Sequence, residues 1–231
     1  MRIRVLTGAG ISAESGIPTF RGKDGLWKGF RAEDLATPQA FSKNPIKVWE
    51  WYCWRRQIIG QAEPNEAHKL LADWERSHDL WIITQNVDGL HQRAGSKNVI
   101  ELHGNIWRLR CTACGKVWED EKACSKIPPR CECGAIARPD VVWFGEALPS
   151  EAIRKSYELA GDAEIFIVVG TSGVVQPAAN LPFVAKSFGA RIYVVNPQPT
   201  IHTEIADLFL QTSASEGLRR IDELLQSEGP S

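Results

Sequence analysis

The feature that most constrains the fold is a series of short, β-branched-rich runs, most of which end in a polar or glycine-containing turn. The runs are Ile3–Thr7, Leu80–Thr84, Val99–Leu102, Ile165–Val169, Arg191–Val195 and Leu208–Leu210. Helical patterns such as Glu66–His78 and Glu151–Ala160 separate several of them. Continuous apolar strands that alternate with helices are typical of a parallel sheet covered on both faces. The sequence therefore predicts an α/β protein whose ligand site lies at the carboxyl ends of the strands.

Two segments interrupt this alternation and predict a smaller, inserted domain. Leu26–Gly60 is dense in Trp and Phe and looks helical, whereas Cys111–Arg138 is rich in Cys, Pro and Gly with little periodicity. We expect residues 31–60 to form a helical module and residues 106–139 a metal-binding module. The parallel-sheet domain is then expected to comprise residues 1–30, 61–105 and 140–231.

The turn after the first strand, Gly8–Ala13, reads GAGISA and fits the G-x-G-x-x-G/A pattern of nucleotide-binding turns. An ordinary βα turn explains this pattern equally well. A simple Rossmann unit would also place an acidic residue about 20 residues further on, at the end of a second strand, but the next clear strand comes only at Leu80. Instead the chain continues as SAESGIPTFRGKDGLW, a loop that we interpret as a mobile lid over a nucleotide. We therefore expect a Rossmann-like sheet that binds a nucleotide through this loop.

Four cysteines form two closely spaced pairs, Cys111-x-x-Cys114 and Cys131-x-Cys133. Two thiol pairs joined by a loop predict a tetrahedral, structural zinc site of the zinc-ribbon type. The second pair has one residue fewer than the usual spacing, and Cys124 could compete for a ligand position. Four thiolates would leave no open coordination position, so the zinc is not expected to be catalytic.

The bulk features describe an ordinary globular chain. The 231 residues carry a formal net charge of -1, which argues against nucleic-acid binding by bulk charge. No apolar run approaches the roughly 20 residues of a membrane span, and the N-terminus lacks a signal-peptide pattern. We expect a cytoplasmic monomer without disulfides, in which Cys53 is a buried apolar residue.

Polar side chains follow two of the predicted strands. His103 comes directly after Val99–Leu102, where an imidazole is well placed to act as a general base. Gln85, Asn86 and Asp88 end another strand and could bind a ribose or a carboxamide, or could merely cap a turn. The other histidines are interpreted as surface or packing residues or do not stand out: His68, His78, His91 and His202.

The stretch Trp49–Arg56 reads WEWYCWRR and predicts a helix that places Tyr52 and Arg55 on one face. One interpretation is a core helix with a solvated edge, and the other is a pocket that binds an anion. We interpret Arg56 as a solvated neighbour of this pair.

Taken together, these motifs resemble the sirtuin family of NAD-dependent protein-lysine deacylases over nearly the whole chain. The residues that carry the resemblance are GAGISAESGIPTFRG at 8–22, TQNVDGLHQRAG at 84–95, ELHG at 101–104, the four-cysteine module, RPDVVWFGE at 138–146, GTS at 170–172 and Asn196.

The resemblance implies zinc in the four-cysteine site, and NAD as a co-substrate. It implies that His103 is the catalytic base and that Asn86 is a second catalytic residue. In the family's chemistry the acyl oxygen of a modified lysine attacks C1′ of the nicotinamide ribose and nicotinamide leaves. The base then activates a ribose hydroxyl, and the products are free lysine, nicotinamide and O-acyl-ADP-ribose.

The resemblance also implies which residues bind each reactant. The NAD contacts would be Gly8, Ala9, Gly10, Glu14, Thr19, Phe20, Arg21, Trp27, Gln85, Asn86, Asp88, Gly170, Thr171, Ser172, Asn196, Gln198 and Ala214. Gln198 stands where the family more often has Glu, which leaves its role open. The substrate backbone would pair by strand addition with Val142, Trp143, Phe144, Gly145 and Glu146.

Class III sirtuins, the desuccinylase/demalonylase type, carry a Tyr-x-x-Arg pair in the corresponding helix and an Ala-Thr-Pro motif nearby. Tyr52, Arg55 and the segment Ala36–Pro38 match both. This implies that acylated proteins bearing acetyl, succinyl or malonyl groups are the partners. The alternatives are a plain deacetylase or a mono-ADP-ribosyltransferase with a structural Tyr52/Arg55 pair. A zinc-ribbon binding module and an NAD dehydrogenase are disfavoured.

Overall fold

A computed structural model describes residues 1–19, 29–120 and 123–227. Its helices and strands, in chain order, are β1 (Arg2–Thr7), α1 (Gly10–Ala13), α2 (Ala32–Leu35), α3 (Pro38–Lys43), α4 (Pro45–Gln61), α5 (Glu66–Trp74), β2 (Asp79–Thr84), α6 (Leu90–Ala94), β3 (Val99–Glu101), β4 (Gly104–Cys111), β5 (Val117–Glu119), β6 (Ala137–Val141), α7 (Ser150–Asp162), β7 (Ile165–Val169), α8 (Leu181–Ser187), β8 (Arg191–Val195), β9 (Leu208–Leu210) and α9 (Ala214–Ser227). None of the described helices is long and apolar enough to cross a membrane.

The larger sheet confirms the predicted parallel architecture. Its six strands are all parallel and follow the order β3-β2-β1-β7-β8-β9. The direction of chain progression reverses at β1, which pairs with β2 on one side and β7 on the other. Ligands bind parallel sheets in the crevice at such a switch point. The last residues of the three central strands, Thr7, Thr84 and Val169, lie side by side there.

Apolar residues on both faces explain why the strands are so uniformly hydrophobic. Ile3 and Val5 of β1 pack on one face with α5 and α9, whereas Leu6 packs on the other with α7 and α8. The alternation follows from the two-residue period of a strand. The fold therefore buries its central strands on both faces.

The inserted segments form one smaller domain around a shared core. Its antiparallel sheet has the order β5-β4-β6, and α2, α3 and α4 pack against it. Helix α4 is capped by Asn44, whose side chain accepts a hydrogen bond from the Lys47 N–H, and Pro45 occupies the first turn. Trp49 of α4 donates its indole N–H to the carbonyl of Ala137 in β6. The helical and metal-binding modules therefore stabilise each other.

Two expectations for this domain are wrong. Cys53 and Cys124 form a disulfide, with 5.6 Å between their Cα atoms, because α4 packs against the short helix Ala123–Ser125 and brings together thiols that lie far apart in sequence. Arg56 is not solvated, since its side chain is only 4% exposed. Its guanidinium donates to the carbonyls of Ile106 and Asp120, which fix it inside the core.

Candidate active site

A cavity of about 740 Å³ lies at the carboxyl edge of the large sheet, where the small domain faces it. It brings together most of the predicted site residues. Those that line it are Gly8, Ala9, Gly10, Thr19, Tyr52, Arg55, Gln85, Asn86, Asp88, His103, Val142, Trp143, Phe144, Gly145, Glu146, Gly170, Thr171, Ser172, Asn196 and Gln198. Pockets of roughly 300–1,000 Å³ hold cofactors and small substrates.

Five predicted cofactor residues are not among the residues that line this cavity. Phe20, Arg21 and Trp27 lie outside the described residues, and so does half of the segment that we interpret as a lid. Glu14 instead accepts a hydrogen bond from the backbone N–H of Ser215, at 2.9 Å. It thereby caps the start of α9, where Ala214 is buried.

The glycines of the first turn are required for contact between two loops. A Cβ on Gly10 would lie 2.6 Å from the Cα of Gly170, and a Cβ on Gly8 would lie 2.7 Å from the Gly170 carbonyl oxygen. Both distances are shorter than real carbon contacts. The Gly10 N–H donates to the Gly170 carbonyl at 2.8 Å. Because these glycines lack side chains, the turns after β1 and β7 can pack closely together. Bare backbone is then left along the cavity wall, as a dinucleotide requires.

Asn86 and Asp88 are held rigidly beside this wall. The Asn86 side chain donates to the Gly8 carbonyl at 3.0 Å. The Asp88 carboxylate accepts from the Ser12 hydroxyl at 2.7 Å and from the Leu90 N–H at 2.9 Å. Burial raises the pKa of Asp88, although these two hydrogen bonds oppose the shift. Ser12 is a site residue that was not predicted individually, although its place in the GAGIS turn is a signal for it.

His103 is oriented by the loop that follows β2. Its Nδ1 lies 2.8 Å from the carbonyl oxygen of Gln85. A carbonyl can only accept, so Nδ1 carries the hydrogen of the neutral ring and Nε2 keeps its lone pair. Burial lowers the pKa of His103, and the hydrogen bond to Gln85 opposes this only in part. The imidazole is therefore a neutral base at physiological pH.

Tyr52 and Arg55 project from α4 into the same cavity. The Arg55 guanidinium lies 5.0 Å from the Trp51 ring centroid and 5.6 Å from that of Tyr52. Burial lowers the pKa of Arg55, and the neighbouring Tyr52 and Asp88 counteract the shift. The Tyr52 hydroxyl accepts a hydrogen bond of 2.8 Å from the indole N–H of Trp143. This corner of the cavity is therefore cationic and rich in hydrogen-bond donors.

The segment after β6 borders the cavity and is fixed at several points. The Val142 N–H donates to the His103 carbonyl, and the Phe144 N–H donates to the Ala36 carbonyl. Glu146 is already bonded within the protein, to both ends of the Arg138 guanidinium and to the Trp143 N–H. Burial disfavours the charged carboxylate, but these contacts outweigh it and lower the pKa of Glu146. Arg138 is a further residue of this region that was not predicted individually.

The four predicted metal ligands meet in the small domain. All four sulfur atoms lie within 4.8 Å of one another, with 3.5 Å between those of Cys111 and Cys133 and 3.7 Å between those of Cys114 and Cys131. A tetrahedral zinc site with bonds of about 2.3 Å needs sulfurs about 3.8 Å apart. Backbone N–H groups of Cys114 and Ala113 lower the pKa of Cys111 to about 6, which favours its thiolate. The donor set fits zinc.

Comparison with protein-family models shows which family the chain belongs to. The model of the Sir2 family matches residues 8–177, which include the glycine turn, His103 and all four clustered cysteines. The chain belongs to the Sir2 family. This confirms the resemblance to sirtuins, together with the Rossmann-like sheet and its smaller domain.

Individual relatives of this sirtuin extend over its whole length. An "NAD-dependent protein deacylase" of Aquifex aeolicus is 58% identical over 231 residues, covering 99% of this chain and 97% of that protein. A solved structure of a Sir2 homologue in complex with NAD has a TM-score of 0.92 and 50% identity, covering 98% of this chain and 90% of the other. A structure described as Sir2-p53 peptide-NAD+ has a TM-score of 0.86 and 39% identity, covering 97% and 93%.

Proposed function

We propose that this sirtuin is an NAD-dependent protein-lysine deacylase that prefers acyl groups ending in a carboxylate, such as succinyl and malonyl, and retains deacetylase activity. The observation that carries the proposal is that Tyr52 and Arg55 line the same cavity as His103. One bound acyl-lysine could thus reach both the base and the cationic corner. Its relatives' names support the NAD-dependent deacylase activity, and the acyl preference depends on the Tyr52/Arg55 pair.

NAD would occupy the part of the cavity nearest the sheet. The Gly8–Gly10 turn, with no side chain beyond the Ala9 methyl, would let the diphosphate approach the backbone closely, and Gly170, Thr171, Ser172 and Asn196 would lie along the adenosine half. Asn86 and Asp88 would face the nicotinamide carboxamide. When bound, NAD supplies the ADP-ribose to which the acyl group is transferred. Nε2 of His103 would take the proton of the ribose hydroxyl, because its lone pair is available.

The acyl end would meet two donors in a largely dry corner. Tyr52 is 1% exposed, and Trp51, Ile59 and Val87 add apolar wall beside it. A guanidinium binds a carboxylate through two parallel hydrogen bonds, and the phenol can add a third. Losing such a charge-assisted contact costs about 2–5 kcal/mol when it is shielded from water. A terminal methyl group would gain none of these contacts.

A plain deacetylase or mono-ADP-ribosyltransferase remains the second candidate. The observation that favours it is the electrostatic interaction of Arg55 with Asp88, which raises the pKa of Arg55 against the effect of burial. In that case Arg55 would serve mainly to balance the buried charge of Asp88.

The deciding experiment compares succinyl-, malonyl- and acetyl-lysine versions of one peptide with NAD. Arg55→Met should remove the preference for the acidic acyl groups, lowering their kcat/KM at least tenfold relative to acetyl-lysine. Arg31→Met, which removes an exposed charge paired with Glu33, is the matched control and should keep the preference. An equal loss for all three peptides with Arg55→Met would favour the second candidate.

The substrates would be acylated lysines presented in extended protein segments. Such a segment would pair as an added strand with the stretch from Val142 to Glu146, through backbone hydrogen bonds. We further propose that the enzyme acts as a monomer in the cytoplasm.

A further inference from the structure

We propose that Trp143 is a positioning residue that fixes the direction in which Tyr52 donates its hydroxyl hydrogen. It thereby makes the far end of the acyl pocket specific for a hydrogen-bond acceptor. The inference rests on the proposed function of this pocket and adds a specificity determinant outside the Tyr52/Arg55 pair.

The direction of the Tyr52 hydroxyl hydrogen depends on the groups around the phenol oxygen. A phenol can donate one hydrogen bond and accept others, so by itself Tyr52 could face either a donor or an acceptor on the acyl group. The indole N–H of Trp143 can only donate, and it lies 2.8 Å from this oxygen. Tyr52 must therefore be the acceptor in this contact, and its own hydrogen points elsewhere.

The next neighbour does not take that hydrogen either. A guanidinium has no acceptor, so Arg55, which lies against the Tyr52 ring, cannot receive it. Tyr52 and Arg55 both line the cavity. Neither Trp143 nor Arg55 can accept the hydrogen of the phenol, so it can point to a ligand in the cavity, beside the donor groups of Arg55.

Trp143 is itself held so firmly that its N–H has little freedom of direction. The Arg138 guanidinium carbon stacks 3.4 Å from the centroid of the Trp143 ring, and the Phe41 ring lies 5.2 Å away. Glu146 accepts from the Trp143 N–H of the backbone and, with both oxygens, from Arg138. This group of four side chains, Phe41, Trp143, Arg138 and Glu146, fixes the indole between the substrate-binding segment and α4.

The consequence is a chemical selectivity that charge alone does not produce. A terminal carboxylate offers acceptors in every direction, whereas its neutral isostere, a terminal carboxamide, places an NH₂ group against donors. Without the Trp143 N–H, the Tyr52 hydroxyl could rotate and accept from that NH₂ group. Trp143 should therefore determine discrimination between carboxylate and carboxamide, beyond the contribution of Arg55.

The test measures kcat and KM for one peptide carrying succinyl-lysine, its terminal-carboxamide analogue or acetyl-lysine. Trp143→Phe, which keeps an aromatic ring but lacks the N–H, should lower the ratio of kcat/KM for succinyl over carboxamide by about tenfold, mainly through KM. Trp49→Phe is the matched control, because it also removes a buried indole N–H bond, the one to Ala137, but lies outside the cavity lining. It should leave the ratio unchanged.

A double-mutant cycle tests whether Trp143 acts through the Tyr52 hydroxyl. In a Tyr52→Phe background, Trp143→Phe should change the ratio no further. A further fall of the same size would overturn the inference, and so would an equal loss for both acyl groups with Trp143→Phe alone. If the wild-type enzyme does not prefer succinyl- over acetyl-lysine, the proposed function fails and the inference fails with it. If the wild-type enzyme does prefer succinyl- over acetyl-lysine, a succinyl-over-carboxamide ratio that Trp143→Phe leaves unchanged overturns the inference alone.

Discussion

At the scale of single residues, one backbone carbonyl sets the protonation of the proposed base. Because the Gln85 carbonyl oxygen lies 2.8 Å from Nδ1 of His103, the neutral ring has its free lone pair on Nε2. The same loop supplies Asn86 and Asp88, so the orientation of the base is coupled to the proposed nicotinamide pocket. A histidine at a strand end is a weak signal in sequence, and the carbonyl is what gives it a defined tautomer.

We expect His103→Tyr to abolish deacylation, with turnover reduced by at least about 10²-fold, a typical contribution of general base catalysis. Binding of NAD and of the acyl peptide, measured by calorimetry, should persist. In the wild-type enzyme, activity should fall only as the pH drops through the lowered pKa of His103. The acidic limb of kcat/KM should therefore lie below the ordinary histidine value of about 6.5.

His78→Gln is the control for this prediction, because His78 lies before β2 and outside the cavity lining. It should retain full turnover and the same acidic limb. Substantial deacylation by His103→Tyr would reject the assignment of the base.

At the scale of secondary-structure elements, helix α4 connects the two specialised parts of the small domain. It carries Tyr52 and Arg55 into the cavity, and through Cys53 it is covalently joined to Cys124, which precedes the second cysteine pair of the metal site. The disulfide closes a loop with a sequence separation of 71 residues. Constraining the unfolded chain over such a loop stabilises a protein by about 2–4 kcal/mol.

Cys124→Ser should therefore lower the free energy of unfolding by about 2–4 kcal/mol when no reductant is present. Denaturant titrations monitored by tryptophan fluorescence would measure this difference. In excess dithiothreitol the variant and the wild-type protein should become nearly equal in stability. A difference that persists undiminished under reducing conditions would show that the disulfide is not its cause.

Zinc content provides the matched control for that variant. Cys124→Ser should keep about one zinc per chain, because Cys124 is not one of the four clustered thiols. Cys133→Ser should lose most of the metal. Equal zinc loss in both variants would mean that the small domain, and not the disulfide alone, is disrupted.

At the scale of the whole molecule, two buried histidines couple stability to pH. His68 of α5 and His91 of α6 are at most 1% exposed, and their rings lie 4.9 Å apart. Burial lowers the pKa of His68 to about 4 and that of His91 to about 3, and the nearby His68 adds to the shift of His91. Both values lie below the 6.5 of an unfolded chain.

The sign of the effect follows from these shifts. Below pH 6.5 the unfolded chain binds protons that the folded protein does not, so stability should be lost as the pH falls from about 6.5 towards 4. Two such histidines give a slope of up to about 2–3 kcal/mol per pH unit near pH 5. His91→Gln should reduce this slope by about one proton's contribution, measured as unfolding free energy at several pH values. An unchanged slope would contradict the assignment.

The sequence by itself determined the sheet, because strand patterning is a local property. The runs Ile165–Val169, Arg191–Val195 and Leu208–Leu210 are strands with the predicted bounds. The helix predicted at Glu66–His78 ends earlier, at Trp74, because the chain must turn before β2 begins at Asp79. The paired cysteine spacing likewise predicted the four-sulfur cluster, since a short local turn is enough to bring the two thiols of each pair together.

Only the tertiary structure decided how distant residues meet. The disulfide between Cys53 and Cys124, the burial of Arg56 and the hydrogen bond from Trp143 to Tyr52 all join elements far apart in the chain. Hydrophobic periodicity states which face of an element is buried but not which partner lies against it, so no local pattern predicts these contacts. The proposed reactive groups were therefore readable from the sequence, whereas the direction of each hydrogen bond depended on the packing of the two domains.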